Sequence, residues 1–460
     1  VSAPTAGSRP TLPSPRRIVR ELRTEFPPVV QVLAAGDLVA SFGFSLFFPY
    51  LTIYLVETLG ATAAMAGLVI AAYSLCSIVS GLVGGWLADR IGRRPVLIGS
   101  ITATAILVAS MAFATEVWQV ALIFLLLGSI DPAFAPAARA AIADVVPEEH
   151  RPRAYGLLGV AAALGWIAGP TIGAGLSIVG YPLLFGVSGA LVGGYTLIAL
   201  RWLPETRPAG AGRHGPRPAV ARPEPRIGAD ARIGADPEAI GRIDPVERPA
   251  PTVAGSGDAS ASDADRLRRR VFVALLPLLV PIHAVTFIWV TTLPIHAAGD
   301  LEVATPVWGV LFSINGLLIV LFQLRISGLA ERRSRPRVLA GSMLLYATGL
   351  GLAAVLSPTT AVVGLAAVIV LVTLGEMLLM PIEPSLVSDM SPVAHRGAYQ
   401  GMALAAGSIG AALGPPLTGL ALDGGAGGVV WLVAAAILVA VAGALVALAR
   451  WTDRLPPAPA

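Results

Sequence analysis

The chain has 460 residues, of which 55% are hydrophobic and 13% charged, against about 25% charge in a soluble domain. With a mean hydropathy of +0.76, a water-soluble globule is excluded. The formal net charge of +4 comes from 32 basic residues, all of them Arg. They flank apolar stretches instead of forming one patch, so topology accounts for them and a nucleic-acid partner is not indicated.

The first 28 residues are polar, Pro-rich and basic, and carry Arg9 to Arg23. They read as a cytoplasmic arm with no cleavable signal peptide, and the first span serves as the targeting segment. A bilayer core is about 30 Å thick, so each crossing helix needs roughly 20 apolar residues. Such stretches lie near 30–55, 63–87, 95–114, 118–142, 154–177, 181–203, 271–297, 305–328, 337–356, 360–388, 396–421 and 425–450. The connection Asp89-Arg90-Ile91-Gly92-Arg93-Arg94 is basic, whereas Glu57-Thr58-Leu59-Gly60 and Leu356-Ser357-Pro358-Thr359 contain no Arg. Positive charge in alternate loops places the Arg-bearing loops and both termini in the cytoplasm. Cys76 stands alone, so no internal disulfide forms and no metal cluster is expected.

Residues 204–270 break the pattern. They are rich in Pro, Gly, Ala, Arg and Asp, and Arg226–Asp230 is repeated at Arg232–Asp236. Such a composition buries too little apolar surface to offset its ordering entropy, so a disordered cytoplasmic linker is expected. It separates a first bundle over 29–203 from a second over 271–450, followed by a cytoplasmic tail over 451–460. The halves repeat. Gly85–Leu97 is echoed by Ser327–Leu339 at an offset of 242, with Glu331 and Arg332 at the places of Asp89 and Arg90. Asp144, Pro147, His150, Arg151, Gly156, Gly165, Gly169 and Pro170 recur at an offset of 245, as Asp389, Pro392, His395, Arg396, Gly401, Gly410, Gly414 and Pro415. The fold class expected is an all-α polytopic membrane protein, with twelve transmembrane helices in two pseudo-symmetric six-helix bundles. Rocking transporters use repeats of this kind.

On these residues the chain resembles the major facilitator superfamily, and within it the twelve-span drug:proton antiporters. The resemblance covers both bundles but neither the linker nor the arms. It implies that Gly85, Asp89, Arg90, Gly92, Arg93 and Arg94 form a latch between the halves in the outward-facing state. In the fifth span, Gly156, Gly165, Gly169, Pro170 and Gly173 resemble the family's exporter motif, with Ala174 where a second Gly is usual. Small residues one turn apart let helices approach closely, and Pro bends the helix. The second-half copy of this spacing shows that part of it belongs to the duplicated scaffold. In one departure, Phe124 stands four residues before Gly128, where family exporters commonly carry an Arg. That places the coupling mechanism in question more than the fold.

An ionised carboxylate inside a bilayer must face a cavity, pair, or carry a proton. Asp37, Asp131, Glu376 and Glu383 fall within spans, and Asp131 and Glu376 are equivalent under the 245 offset. Asp37, Asp131 and Glu376 are expected to face a central cavity, and at least one of the four to couple proton entry to substrate exit. The competing reading makes them structural partners of Arg139, Arg325 or a helix end. Tyr50, Tyr54, Tyr73, Trp166, His283, Trp289, Asn315 and Gln323 are further cavity candidates, with packing as the plainer role for the aromatics and for His283.

The function expected is proton-coupled export of small amphiphilic compounds by alternating access. The partners are a small-molecule substrate, protons and membrane lipids. No cofactor is called for, and a monomer in a bacterial inner membrane is expected. Import of a sugar or other metabolite on the same fold stays open. A membrane enzyme or sensor is disfavoured, because the chain has no nucleophile constellation, nucleotide loop or added soluble domain.

Overall fold

The computed structural model describes residues 26–147, 150–207, 256–330, 333–392 and 395–453. The Arg226–Asp236 tandem, the N-terminal arm before residue 26 and the pair Glu331 and Arg332 lie outside the described residues, as does the tail beyond residue 453. The described chain is helical throughout. In the first half α1 spans Pro28–Ile53 and ends in one wider turn over Tyr54–Thr58. It is followed by α2 (Ala63–Ile91), α3 (Arg93–Ser110), α4 (Val117–Val145), α5 (Arg151–Val179) and α6 (Tyr181–Trp202). The second half contains α7 (Ser256–Thr291), α8 (Thr305–Ala330), α9 (Arg335–Ala353), α10 (Ala361–Met390), α11 (Arg396–Asp423) and α12 (Gly427–Thr452).

Among the described residues, 11 helices are long and apolar enough to cross a membrane. The remaining one, α9, is a 19-residue helix that carries Arg337 and packs along α10 and α12, so the second bundle keeps six members. Large apolar side chains such as Leu82, Phe113, Val179 and Val363 stand on the outside. A soluble fold would hide them, whereas a helix bundle in hydrocarbon presents them to lipid.

Two boundaries differ from the sequence expectation. The segment expected to be a disordered linker to residue 270 is helical from Ser256. Its last part contains Ala, Leu and Arg with no Pro, and Asp258 falls in the first turn of the helix, where the dipole favours acids. An average taken over the whole loop masks this. The fourth span is not one regular helix: Asp131–Ala133 form a tight turn between Val117–Ile130 and Phe134–Val145. Pro132 lacks the amide that a continuous helix would require there.

Close packing inside each bundle rests on glycine. In α5, a Cβ on Gly165, Gly169 or Gly173 would sit within 3 Å of Leu38–Phe42, Ser45 or Leu46 of α1. Ser45 Oγ donates to the Gly165 carbonyl at 3.0 Å. In α11, Gly410 and Gly414 meet Val280 and Ala284 of α7 in the same way. The duplicated spacing therefore makes the same helix–helix contact twice. Gly156 has open space around it and takes no part.

The bundles meet through α2 with α11 and α5 with α8. The end carrying Asp89–Arg94 is called here the Arg-rich end, and the opposite one the far end. At the far end the Asp423 carboxylate accepts hydrogen bonds from the Ala63 and Ala64 amides at 2.8 and 2.9 Å. Gly67 lies against the Pro415–Pro416 backbone, Gly419 against Ala63, and Gly309 against Tyr50 and Ala174. Thr171 and Ser313 share a hydrogen bond of 2.5 Å between α5 and α8. Toward the Arg-rich end, Gly397 and Gly401 of α11 face open space.

Candidate functional site

A cavity of about 240 Å³ opens inside the first bundle. Asp37 and Asp131 line it, together with Phe44, Phe47, Tyr73, Thr104 and Trp166, and every lining residue comes from that bundle. The turn at Asp131–Ala133 carries the Asp131 carboxylate inward, where Oδ2 accepts from Tyr73 Oη and Oδ1 from Thr104 Oγ1, each at 3.2 Å. Donors from α2 and α3 thus fix both oxygens. Asp37 borders the same space and makes no hydrogen bond among the described residues. The lining contains no Arg or His. Arg139 and Arg325, the structural partners considered for the acids, are exposed and make no direct ion pair among the described residues, but Arg139 lies near enough to Asp37 to attract its carboxylate. Phe44 and Trp166 form an aromatic part of the lining, and Phe48 backs them, stacked on Phe44 at 4.8 Å and met edge-on by Trp166.

Glu376 does not join this cavity, contrary to expectation. It sits in the second bundle, where Asn315 Nδ2 donates to its Oε2 at 2.8 Å and to Thr373 Oγ1 at 3.1 Å. The arrangement repeats that of the first bundle. Tyr73 and Asn315 are separated by the 242 offset, as are Thr104 and Tyr346. Tyr346 lies against Gly375, next to Glu376. One scaffold therefore supplies two carboxylate sites, one opened to a cavity and one closed by an amide.

Glu383 is likewise away from the cavity and accepts from His283 Nε2 at 3.0 Å, tying α10 to α7. A Cβ on Gly407 of α11 would press on the same imidazole. Gln323 Nε2 donates to the Ser327 hydroxyl and the Met377 carbonyl, both at 3.0 Å. Tyr50, Tyr54 and Trp289 are buried packing residues and not cavity walls. Tyr50 Oη donates to the Pro170 carbonyl, Tyr54 Oη to Ala114 O at 2.9 Å, and Trp289 stacks on Phe312 at 5.2 Å. Of the named cavity candidates, Trp166 and Tyr73 line the space. Thr104 was not anticipated, because one Thr within an apolar span carries no signal by itself. Among the described residues no group of three His, Cys, Asp or Glu side chains is placed to hold a metal.

At the Arg-rich end the loop between α2 and α3 is tied into its own bundle. Arg93 Nη1 pairs with Asp89 at 2.7 Å, and Arg93 Nε with Asp144 of α4 at 3.1 Å. Glu205, just after α6, accepts from the Arg93 and Arg94 amides at 2.9 and 3.2 Å and so caps α3. Partial burial works to raise the Glu205 carboxyl, but bonds from the amides of Arg207, Arg93, Arg94 and Thr206 outweigh it and hold the group below the usual carboxylate range. Gly92 has φ +111, and a Cβ there would strike Glu205 Oε2, so this position requires glycine. Arg90 stacks over Trp86 at 5.1 Å. Of the two glycines before the loop, Gly84 makes the close approach: a Cβ on it would lie 2.4 Å from Ala133, whereas one on Gly85 makes ordinary contact at 3.8 Å. Asp389 and Arg335 repeat the Asp144–Arg93 pair in the second bundle.

Two repeated bundles of crossing helices, with acids set inside them, define a polytopic membrane transporter. The chain belongs to the Major Facilitator Superfamily, whose sequence profile matches residues 33–304 and 275–460. It is 23% identical to the uncharacterized MFS-type transporter YqjV of Bacillus subtilis, over 86% of this chain and 87% of that protein. A shorter match, 38% identical, links 36% of the chain to 42% of the class E tetracycline resistance protein of Escherichia coli. A crystal structure of the peptide transporter POT superposes with a TM-score of 0.70 at 15% identity, covering 94% of this chain and 96% of that one. The nucleoside transporter NupG superposes with a TM-score of 0.68 at 15% identity, covering 91% of this chain and 98% of that one. At such identity these two structures speak for the fold alone.

Proposed function

We propose that the protein exports small amphiphilic compounds in exchange for protons, as a monomer in a bacterial inner membrane with both termini in the cytoplasm. The observation carrying this reading is the cavity in which Asp37 and Asp131 stand together without a basic residue in its lining. Two ionised carboxylates in one such space repel each other, and each is costly to desolvate. Loading a proton on one of them relieves both penalties. Tyr73 and Thr104 hold Asp131 in place, and the unbonded Asp37 is left to exchange. The aromatic lining of Phe44, Phe47 and Trp166 offers an apolar surface to a substrate beside these acids. The spacing of Gly165, Gly169, Pro170 and Gly173 supports export over import, as does similarity to proteins named for tetracycline and multidrug resistance.

The test is efflux of fluorescent dyes from a pump-deleted host, with Asp37→Asn and Asp131→Asn as variants. Each variant is expected to reduce protonophore-sensitive efflux at least about a hundredfold, the lower end of the range for a lost proton-transfer group. Normal efflux by both would refute the role of the acids. Unchanged dye accumulation by the wild type, with growth gained on a sole carbon source, would favour an importer.

A further inference from the structure

We propose that the groove between the start of α7 and the end of α12 binds the headgroup of an anionic phospholipid. The groove, of about 490 Å³, is lined by Arg266, Arg269, Arg270, Val273 and Ala274 of α7 and by Trp451 of α12. The five α7 positions are spaced i, i+3, i+4, i+7 and i+8, so they share one helix face. Along that face the chemistry changes from three guanidinium groups to two small apolar side chains. A phospholipid changes from phosphate to hydrocarbon in the same order. Trp451 stands beside this transition, and an indole prefers headgroup depth in a bilayer. Val273 is 58% exposed and Trp451 45%, so no other described helix covers the site.

Charge points to an anion. Among the described residues no acid lines the groove. Among the described side chains, the acids nearest along the chain are engaged elsewhere, Asp265 with Arg268 at 3.2 Å and Asp453 with Arg337 at 2.5 Å, and Arg269 and Arg270 supply the charge for the anion. Guanidinium groups match phosphate oxygens in paired hydrogen bonds, and basic clusters at a membrane surface attract anionic lipid. Free phosphate would satisfy the Arg residues but leave the apolar half of the groove bare. A lipid covers both halves.

The test uses the full-length protein purified in a neutral detergent. Phosphatidylglycerol with brominated acyl chains is titrated against tryptophan fluorescence, beside brominated phosphatidylcholine and inorganic phosphate. Saturable quenching by the anionic lipid beyond that by phosphatidylcholine is expected, and Trp451→Phe should remove that increment while leaving every Arg in place. Arg269→Gln with Arg270→Gln should raise the half-saturating lipid fraction at least about tenfold, since each basic residue contributes separately to surface binding. Equal quenching by the two lipids would overturn the proposal. So would an increment that survives in Trp451→Phe or in the double Gln variant, or displacement of the anionic lipid by millimolar inorganic phosphate.

Discussion

The acids inside the bundles differ more in their partners than in their position. Asp131 is fixed by two hydroxyls beside open space, whereas Glu376, its equivalent, is held by the Asn315 amide. The two sites thus differ in the groups that hold the carboxylate, two hydroxyls at Asp131 and one side-chain amide at Glu376. Glu205 permits a cleaner measurement, because it lies outside the spans. A carboxyl held below its ordinary range contributes its full stability above about pH 4.3, the usual Glu value, and loses it as pH falls through the lowered value. Glu205→Gln should thus lower Tm at neutral pH, with the two melting curves converging in acid. A Tm difference independent of pH would show that the carboxylate charge is irrelevant. All four intramembrane acids were legible in the sequence, since a carboxylate in an apolar stretch is conspicuous. Their partners were not: Tyr73 became Asn315 and Thr104 became Tyr346 between the repeats, so no identity marked the match.

Between elements, the duplicated glycines were readable because close helix contact tolerates few residue types. Gly165, Gly169, Gly410 and Gly414 all seat a neighbouring helix as their spacing implied. The contacts between bundles were not readable, since they join residues hundreds of positions apart with no shared motif. Asp423 is the clearest case. Its carboxylate closes the first two amides of α2, while Thr62 of the same bundle accepts from Met65 at 3.2 Å. Helix N-termini leave four amides without intrahelical partners, and an acid there is favoured by the dipole. Each hydrogen bond to a charged group contributes about 1.5–3 kcal/mol, partly offset once water replaces it. In Asp423→Ala, amide exchange at Ala63 and Ala64 should accelerate at least about tenfold, with the first turn of α5 unchanged. Equal exchange in both proteins would mean that the cap does not hold the bundles together.

For the molecule as a whole, the hydrogen bonds that cross between bundles among the described residues sit in the far half: Asp423 with α2, Thr171 with Ser313, and Tyr181 with Thr305. A transporter that rocks two rigid bundles must break these contacts to open that end. The glycine contacts of Gly67 and Gly419 there are backbone against backbone, so those two separate as units without side-chain rearrangement, whereas Gly309 packs on the Tyr50 and Ala174 side chains. This makes the Thr171–Ser313 pair a site where motion can be stopped by chemistry. Replacing both with Cys, with Cys76→Ser to remove the native thiol, places two sulfurs where two oxygens are 2.5 Å apart. An oxidant should form the disulfide, hold the far end shut and reduce dye efflux at least about tenfold, and a reductant should restore it. Each single-Cys protein should be indifferent to both reagents. Full efflux by the crosslinked protein, verified by mass, would mean that α5 and α8 stay together throughout the cycle and that substrate leaves by another route.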